Sequence, residues 1–197
     1  MDKFILIEKL KRGDEEAFKQ IVESWKDLVY NTAIGFLQNA QDAEDITQEV
    51  FLEVFESVKN FKAEAKFTTW LYRITVSKAL DHLRRKKRKK RFAFVQSLFG
   101  PNNETVVEKP DFNHPGIKLD NKERAAILFK AIDRLPENQK TAFTLHKIEG
   151  LSYQEISEVM NTTVSAIESL IHRARQNLKK WLTDYYKGSG SSQVLKP

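Results

Sequence analysis

Eight consecutive basic residues, Arg84 to Arg91, are the part of this sequence whose residue types most directly suggest a ligand. Each lysine or arginine can neutralise a phosphate and release its counterions, so a run of eight favours a nucleic acid. The run continues an aromatic-rich helical pattern, FTTWLYRITVSKAL, at residues 67–80. Because consecutive side chains point to all sides of a helix, the run predicts phosphate contacts and not base reading. A solvated helix end is the alternative interpretation.

Carboxylates at every fourth residue mark a second candidate surface. Asp45, Glu49 and Glu53 fall on one face of a helical pattern, and Leu52 falls beside them, where a polar residue is expected. Like charges at this spacing weaken an isolated helix by roughly 0.2–0.5 kcal/mol per pair. The stripe is therefore either a solvated face or a docking surface for a basic partner.

The segment LSYQEISEVMNTTVSAIESLIHRARQNL, residues 151–178, predicts a helix-turn-helix. Ser152 is placed to cap a short helix, with Glu155 completing a capping box. Thr162 or Thr163 then begins a longer helix. The second helix of such a motif enters a DNA major groove.

Polar side chains cover the side of this second helix that faces away from its apolar residues. Short groups near the start of the helix suit base edges, and arginines suit phosphates or guanine. A plain solvated helix in a small bundle is the alternative. The polar residues are Ser165, Glu168, Ser169, His172, Arg173, Arg175 and Gln176.

Several kinds of chemistry find no residues to support them. The chain contains no cysteine, and its four histidines form no pair at metal-ligand spacing. No phosphate-binding glycine loop and no nucleophile motif occurs. We therefore expect no enzyme site, no metal and no cofactor. The net charge of +6 favours an acidic partner.

The elements that must position these surfaces are all predicted to be helices, with Asp14 as the N-cap of one of them. The helix that carries the acidic stripe has apolar residues on another side: Ala43, Ile46, Val50, Val54 and Val58. Prolines and glycines cluster between residues 100 and 116 and indicate a linker. We predict an all-α protein of two small helical domains, at 1–92 and 119–187, joined by a flexible linker at 93–118 and followed by a flexible tail at 188–197. The charged start does not resemble a signal peptide, and no apolar run could span a membrane, so a cytoplasmic location is expected.

The order and spacing of these patterns resemble an extracytoplasmic-function (ECF, group IV) sigma factor of bacterial RNA polymerase. The resemblance rests on DAEDITQEVFLEVF, on FKAEAKFTTWLYRITVSKALDHLRR and, after the linker, on LPENQKTAFTLHKIEGLSYQEISEVM with IHRARQNL. It implies that the first domain binds core polymerase and the −10 element, helping to melt promoter DNA. It implies that the second domain binds the −35 element.

The resemblance also assigns individual residues. Core-polymerase binding falls on Asp45, Gln48, Glu49 and Leu52. Binding of −10 DNA falls on Phe61, Lys62, Phe67, Thr69, Tyr72, Arg73, Ser77, Lys78, Arg84 and Arg85. Binding of −35 DNA falls on Ser165, Glu168, Ser169, His172, Arg173 and Arg175. Relatives often carry Asn in place of Ser77, Arg in place of Glu168 and an aromatic residue in place of His172.

The expected partners are core RNA polymerase, promoter DNA and a sequestering anti-sigma factor, with no membrane insertion of the chain itself. Two other functions fit parts of the sequence. A stand-alone regulator would bind duplex DNA without polymerase, and a general nucleic-acid binder would use the basic run with little sequence preference. Neither of them needs the acidic stripe.

Overall fold

The protein is all-α in a computed structural model that describes residues 3–62, 65–99 and 122–190. The first compact unit contains α1 (Lys3–Lys11), α2 (Glu15–Leu37), α3 (Ala40–Ser57), a 3-10 turn (Val58–Asn60) and α4 (Phe67–Phe99). The second contains α5 (Lys122–Ile132), α6 (Glu137–Lys147), α7 (Tyr153–Met160) and α8 (Val164–Gly190). No strand occurs in these ranges, so the predicted fold class is confirmed.

The two units divide the chain at His114 and Pro115. Residues 93–99, predicted to begin the linker, continue α4 as helix, and residues 188–190 of the predicted tail continue α8. The rest of the predicted linker, 100–118, and of the tail, 191–197, lies outside the described residues.

Helices α2, α3 and α4 pack against one another to form the core of the first unit. The Asp14 side chain accepts a hydrogen bond from the Ala17 N–H at 3.0 Å, which confirms the predicted N-cap of α2. Asn39 caps α3 by accepting from the Asp42 N–H at 2.8 Å. The apolar stripe of α3 is buried as its spacing predicts: Ala43, Ile46, Val50 and Val54.

Helix α4 begins in this core and then leaves it. Its first turns bury Phe67, Leu71 and Ile74, which pack against the other helices. From Arg84 to Phe92 every side chain is exposed except that of Lys86, which is half-buried. The basic run is therefore an exposed helical extension of a well-packed element.

The second unit has the predicted helix-turn-helix. Ser152 and Glu155 form the predicted capping box at the start of α7. The helix ends at Asn161, whose φ of 50° reverses the chain tightly. Thr163 accepts from the Ala166 N–H at 3.2 Å and so begins α8. Both helices bury their apolar faces, through Ile156, Val159, Ile167, Ile171, Ala174 and Leu178.

Candidate protein and nucleic-acid interfaces

The acidic face of α3 lies opposite the buried stripe that anchors the helix. Asp45 and Gln48 are exposed, and the Glu49 side chain keeps 45% of its accessible surface. Leu52 is 61% exposed in the middle of this face. An apolar side chain so open to water, beside carboxylates, suits a partner surface that carries both cations and apolar groups.

Phe55 extends the apolar part of this face, and the sequence analysis missed it. It is 44% exposed, and its ring meets the edge of Phe18 with the centroids 5.2 Å apart. It follows Leu52 by three residues, so both side chains lie on the same side of α3. That spacing, away from the buried stripe, is the signal that could have found it.

Ion pairs tie the other edge of the acidic face to α4. The Lys78 ammonium lies 2.8 Å from a Glu53 carboxylate oxygen and 3.9 Å from one of Glu49. Asp42 contacts Lys86 at 3.0 Å and His82 at 3.3 Å. Lys78, His82 and Lys86 are spaced four residues apart, so these side chains form one row on the α3 side of α4. Glu49 and Glu53 of the acidic stripe thus join α3 to α4 through their ion pairs with Lys78.

Three of the residues predicted to bind −10 DNA are buried. Phe61, Phe67 and Thr69 retain 9%, 7% and 4% of their accessible surface. The two phenylalanine rings meet edge to face at 5.5 Å, and both contact Trp70. These three side chains therefore lie in the packed interior of the first unit, and residues 63 and 64, between Phe61 and Phe67, lie outside the described residues.

The remaining predicted −10 residues lie nearer the surface. Lys62, Arg73 and Ser77 are exposed, and Tyr72 is half-buried. At about 100° of rotation per residue, Arg73, Ser77 and Arg84 fall within roughly 40° of one another around α4. Arg88 and Arg91 continue the same strip within roughly 60° of Arg73. This exposed strip is nearly opposite the row of side chains, Lys78, His82 and Lys86, that contacts α3.

Two members of the basic run already have carboxylate partners. Arg84 lies 2.7 Å from Asp81 one turn before it, and Lys86 pairs with Asp42 as described above. The Arg84 pair is well exposed, so it contributes less than about 1 kcal/mol and can exchange for a phosphate. Lys86 is held between two helices and is the member least able to reach a ligand.

All six residues predicted to bind −35 DNA are exposed on α8. Ser165, Glu168, Ser169 and His172 lie within roughly 100° of one another on the side opposite Ile167 and Ile171. Arg173 and Arg175 flank this face on its two sides. The six predicted residues are Ser165, Glu168, Ser169, His172, Arg173 and Arg175. Gln176 lies on the face as well, and its amide nitrogen is 2.9 Å from His172 Nε2.

Other kinds of site are not supported in the parts of the chain that the structure describes. No group of three or more histidine or acidic side chains there is arranged to hold a metal ion. None of the helices in those parts is long and apolar enough to cross a membrane.

Known protein families match both compact units of the chain. The family described as Sigma-70 region 2 matches residues 21–89, and the family described as Sigma-70, region 4 matches residues 125–178. The ECF RNA polymerase sigma factor SigW of Bacillus subtilis is 32% identical over 90% of this chain and 95% of its own. The chain belongs to the extracytoplasmic-function sigma factors.

Further relatives agree with this assignment. The RNA polymerase sigma-H factor of Pseudomonas aeruginosa is 33% identical, over 90% of this chain and 92% of its own. The ECF RNA polymerase sigma-E factor of Haemophilus influenzae is 32% identical, over 88% and 92%. As a sigma factor, the protein associates with RNA polymerase and directs promoter-specific initiation of transcription.

Solved structures show the same fold at lower identity. A structure of CnrH with the cytosolic domain of CnrY aligns with a TM-score of 0.62, over 91% of this sigma factor and 96% of that chain, at 23% identity. The sigma factor RpoE of Bartonella quintana, in complex with the anti-sigma factor NepR, aligns with a TM-score of 0.58, over 84% and 96%, also at 23% identity.

Proposed function

We propose that the first domain, residues 1–92, binds core polymerase through α3 and −10 DNA through α4, and that residues 119–187 bind the −35 element through α8. The observation that carries the assignment of α3 and α4 is that each of these helices has one exposed side. Their facing sides are joined by the ion pairs of Lys78 with Glu53 and of Lys86 with Asp42. One rigid unit thus presents an acidic surface and a basic surface at once. We propose that residues 93–118 are the linker between the two domains and that residues 188–197 are a tail.

The proposed polymerase-binding surface consists of Asp45, Gln48, Glu49 and Leu52. Carboxylates give the surface its attraction to a basic partner, and Leu52 supplies apolar area that binding would remove from water. The carboxylates should set the rate of association and its salt dependence, whereas Leu52 should slow dissociation. This combination explains why an exposed leucine sits within a charged face.

The proposed −10 surface combines an exposed strip with a buried support. Arg73, Ser77 and Arg84 lie on the exposed strip and contact DNA directly, whereas Arg85 is exposed about 120° away around α4 and Lys62 is exposed before α4 begins. Phe61, Phe67 and Thr69 are buried, so they contact an unstacked base only after their packing is rearranged. Tyr72 is half-buried, and Lys78 orients α4 through its ion pair with Glu53.

We propose that α8 lies in the major groove of the −35 element. Ser165, Glu168, Ser169 and His172 face the base edges, while Arg173 and Arg175 on either side contact phosphates. Glu168 would repel phosphates, and at about 100° per residue it lies at one edge of this face, roughly 20° from Arg175 around α8. A carboxylate there can accept a hydrogen bond from a cytosine amino group.

An anti-sigma factor is a further proposed partner. The solved sigma factor of Bartonella quintana is bound to the anti-sigma factor NepR, and CnrH is bound to the cytosolic domain of CnrY. The open apolar residues Leu52 and Phe55 give such an inhibitor a surface to cover here. We place the protein in the cytoplasm with its polymerase, and we assign it no catalysis of its own.

The test is binding to sigma-free core polymerase by fluorescence anisotropy. The double variant Glu49→Lys with Leu52→Ala should lose binding at least 100-fold, because one attraction becomes a repulsion and the apolar anchor is removed. A matched control, Glu23→Lys with Ile5→Ala, changes an exposed carboxylate and an exposed apolar residue on other helices. Equal binding by both variants would refute the proposed surface. A wild type that ignores polymerase but binds duplex DNA alone would favour the stand-alone regulator.

A further inference from the structure

Phe92 is an exposed aromatic side chain at the end of the basic run. It keeps 67% of its accessible surface, more than any other large apolar or aromatic side chain in the described ranges. Between Asp81 and Phe92 the only other apolar residue is Leu83, which is half-buried. The ring therefore stands in water at the end of a charged segment, and the sequence analysis did not consider it.

Basic side chains lie on the same side of α4 as the ring. At about 100° of rotation per residue, three exposed cations fall within roughly 60° of Phe92 around the helix: Arg85, Arg88 and Lys89. At a rise of about 1.5 Å per residue, Lys89 and Arg88 come roughly 5 and 6 Å before the ring, and Arg85 comes roughly 10 Å before it. These four residues are called the Phe92 face below.

The Phe92 face differs from the two sides of α4 already described. Lys86, which pairs across the interface with α3, lies roughly 120° from Phe92 around the helix. Arg73, on the exposed strip proposed to contact −10 DNA, lies roughly 100° from Phe92 in the other direction. Arg88 lies between the strip and the ring. Arg85, which is off the strip, therefore belongs to a second exposed surface of the same helix.

The charge around the ring indicates what kind of ligand would cover it. Leu52 and Phe55 are exposed on an acidic face, whereas Phe92 is exposed on a basic one. The nearest acidic residue in the sequence is Asp81, which is eleven positions away and pairs with Arg84 at 2.7 Å. An unpaired base supplies a flat apolar surface for the ring, and its phosphates supply anions for the cations. A base inside a duplex is already stacked on both faces and cannot meet the ring.

We propose that the Phe92 face binds single-stranded DNA, with an unpaired base stacked on the ring and the neighbouring phosphates held by the three cations. The inference rests on the proposed function, because promoter melting supplies a single strand beside the helix that binds the −10 element. The match to Sigma-70 region 2 ends at residue 89, so Phe92 lies beyond the part of the chain that this family describes. Every base has a face that can stack, so the surface holds the strand without reading its sequence.

The first test measures binding of the full chain to a labelled single-stranded oligonucleotide of mixed sequence, and to its duplex, by fluorescence anisotropy. Phe92→Ala should weaken single-strand binding about ten-fold, because the stacked base loses its platform, and should change duplex binding by less than about two-fold. Phe92→Trp should bind the single strand at least as tightly as the wild type. Phe92→Leu should resemble Phe92→Ala, because leucine is apolar but cannot stack, and wild-type affinity in Phe92→Leu would overturn the proposed stacking.

Salt dependence separates the ring from the cations. Each phosphate contact on a single strand contributes about 0.7 to the slope of log K against log salt, so Arg85→Gln should reduce the slope by about 0.7. Phe92→Ala should leave the slope unchanged. The matched control, Phe4→Ala, removes a ring that is 60% exposed on α1 and should not affect binding. Tighter binding of an RNA strand of the same sequence would overturn the assignment to DNA.

Holoenzyme binding to promoter fragments distinguishes this inference from the proposed function on which it rests. Arg73→Gln should weaken binding to a duplex promoter, whereas Phe92→Ala should weaken binding only when the fragment carries a preformed bubble. Wild-type single-strand affinity in Phe92→Ala, together with impaired promoter binding in Arg73→Gln, would overturn this inference alone. Unchanged binding of both variants to every fragment would overturn the proposed −10 role of α4 as well.

Discussion

The basic run offers a quantitative test, because its members differ in their surroundings. Arg88 and Arg91 are exposed on the side of α4 that also carries Arg73 and Ser77. Lys86 lies only two residues before Arg88, but it pairs with Asp42 across the helix interface. We predict that Arg88→Gln with Arg91→Gln weakens promoter binding by the holoenzyme, whereas Lys86→Gln leaves it nearly unchanged.

The magnitude follows from counterion release. Each phosphate contact on duplex DNA contributes about 0.9 to the slope of log K against log salt, so two lost contacts reduce the slope by about 1.8. Between 50 and 200 mM salt, the deficit of the double variant relative to wild type should shrink about 12-fold. Lys86→Gln has no contact to lose, and its slope should equal that of the wild type.

The assay is equilibrium binding of reconstituted holoenzyme to a labelled promoter fragment across this salt range. Circular dichroism of each variant verifies that α4 remains helical, since glutamine and arginine have similar helix propensities. An unchanged slope in the double variant would show that the run is a solvated helix end. A reduced slope in Lys86→Gln would show that the ion pair with Asp42 yields to DNA, and the assignment of sides on α4 would then be wrong.

Three further predictions concern stability, measured by denaturant unfolding of the purified chain. Ile46→Ala removes a fully buried side chain from α3 and should cost about 2–5 kcal/mol, so a loss below 1 kcal/mol would contradict the packing described for α3. Ser152→Ala removes the capping box of α7 and should lower the free energy of unfolding by about 1 kcal/mol, whereas Ser152→Thr should keep most of that stability. Asp42→Asn removes a partly buried carboxylate from His82 and Lys86 and should cost about 1 kcal/mol, and an effect that high salt does not reduce would argue against an electrostatic origin.

Local signals in the sequence were sufficient for the helices and their caps. Asp14, Ser152 and Thr163 cap the helices that their positions indicated, because a cap depends on residues only three positions away. The buried stripe of α3 followed from its period for the same reason. The end of α4 could not be predicted in this way, because a basic run is compatible with both helix and loop. The structure continues the helix to Phe99.

The contacts between helices could not be read from the sequence. Lys78 is a cationic residue of the type that contacts DNA phosphates, but its ion pairs with Glu53 and Glu49 depend on how α3 and α4 cross. Phe61 and Thr69 are similar cases, because the sequence shows an aromatic ring or a hydroxyl and not its burial.

The measurement that most directly tests the central claim is run-off transcription by core polymerase from a library of promoter fragments. We predict no specific transcript from core alone, specific transcripts when the wild-type chain is added, and their loss with Glu49→Lys and Leu52→Ala. The control Glu23→Lys with Ile5→Ala should transcribe like the wild type. Wild-type chain that binds core without giving any specific transcript, or transcription that survives the change at Glu49 and Leu52, would contradict the account.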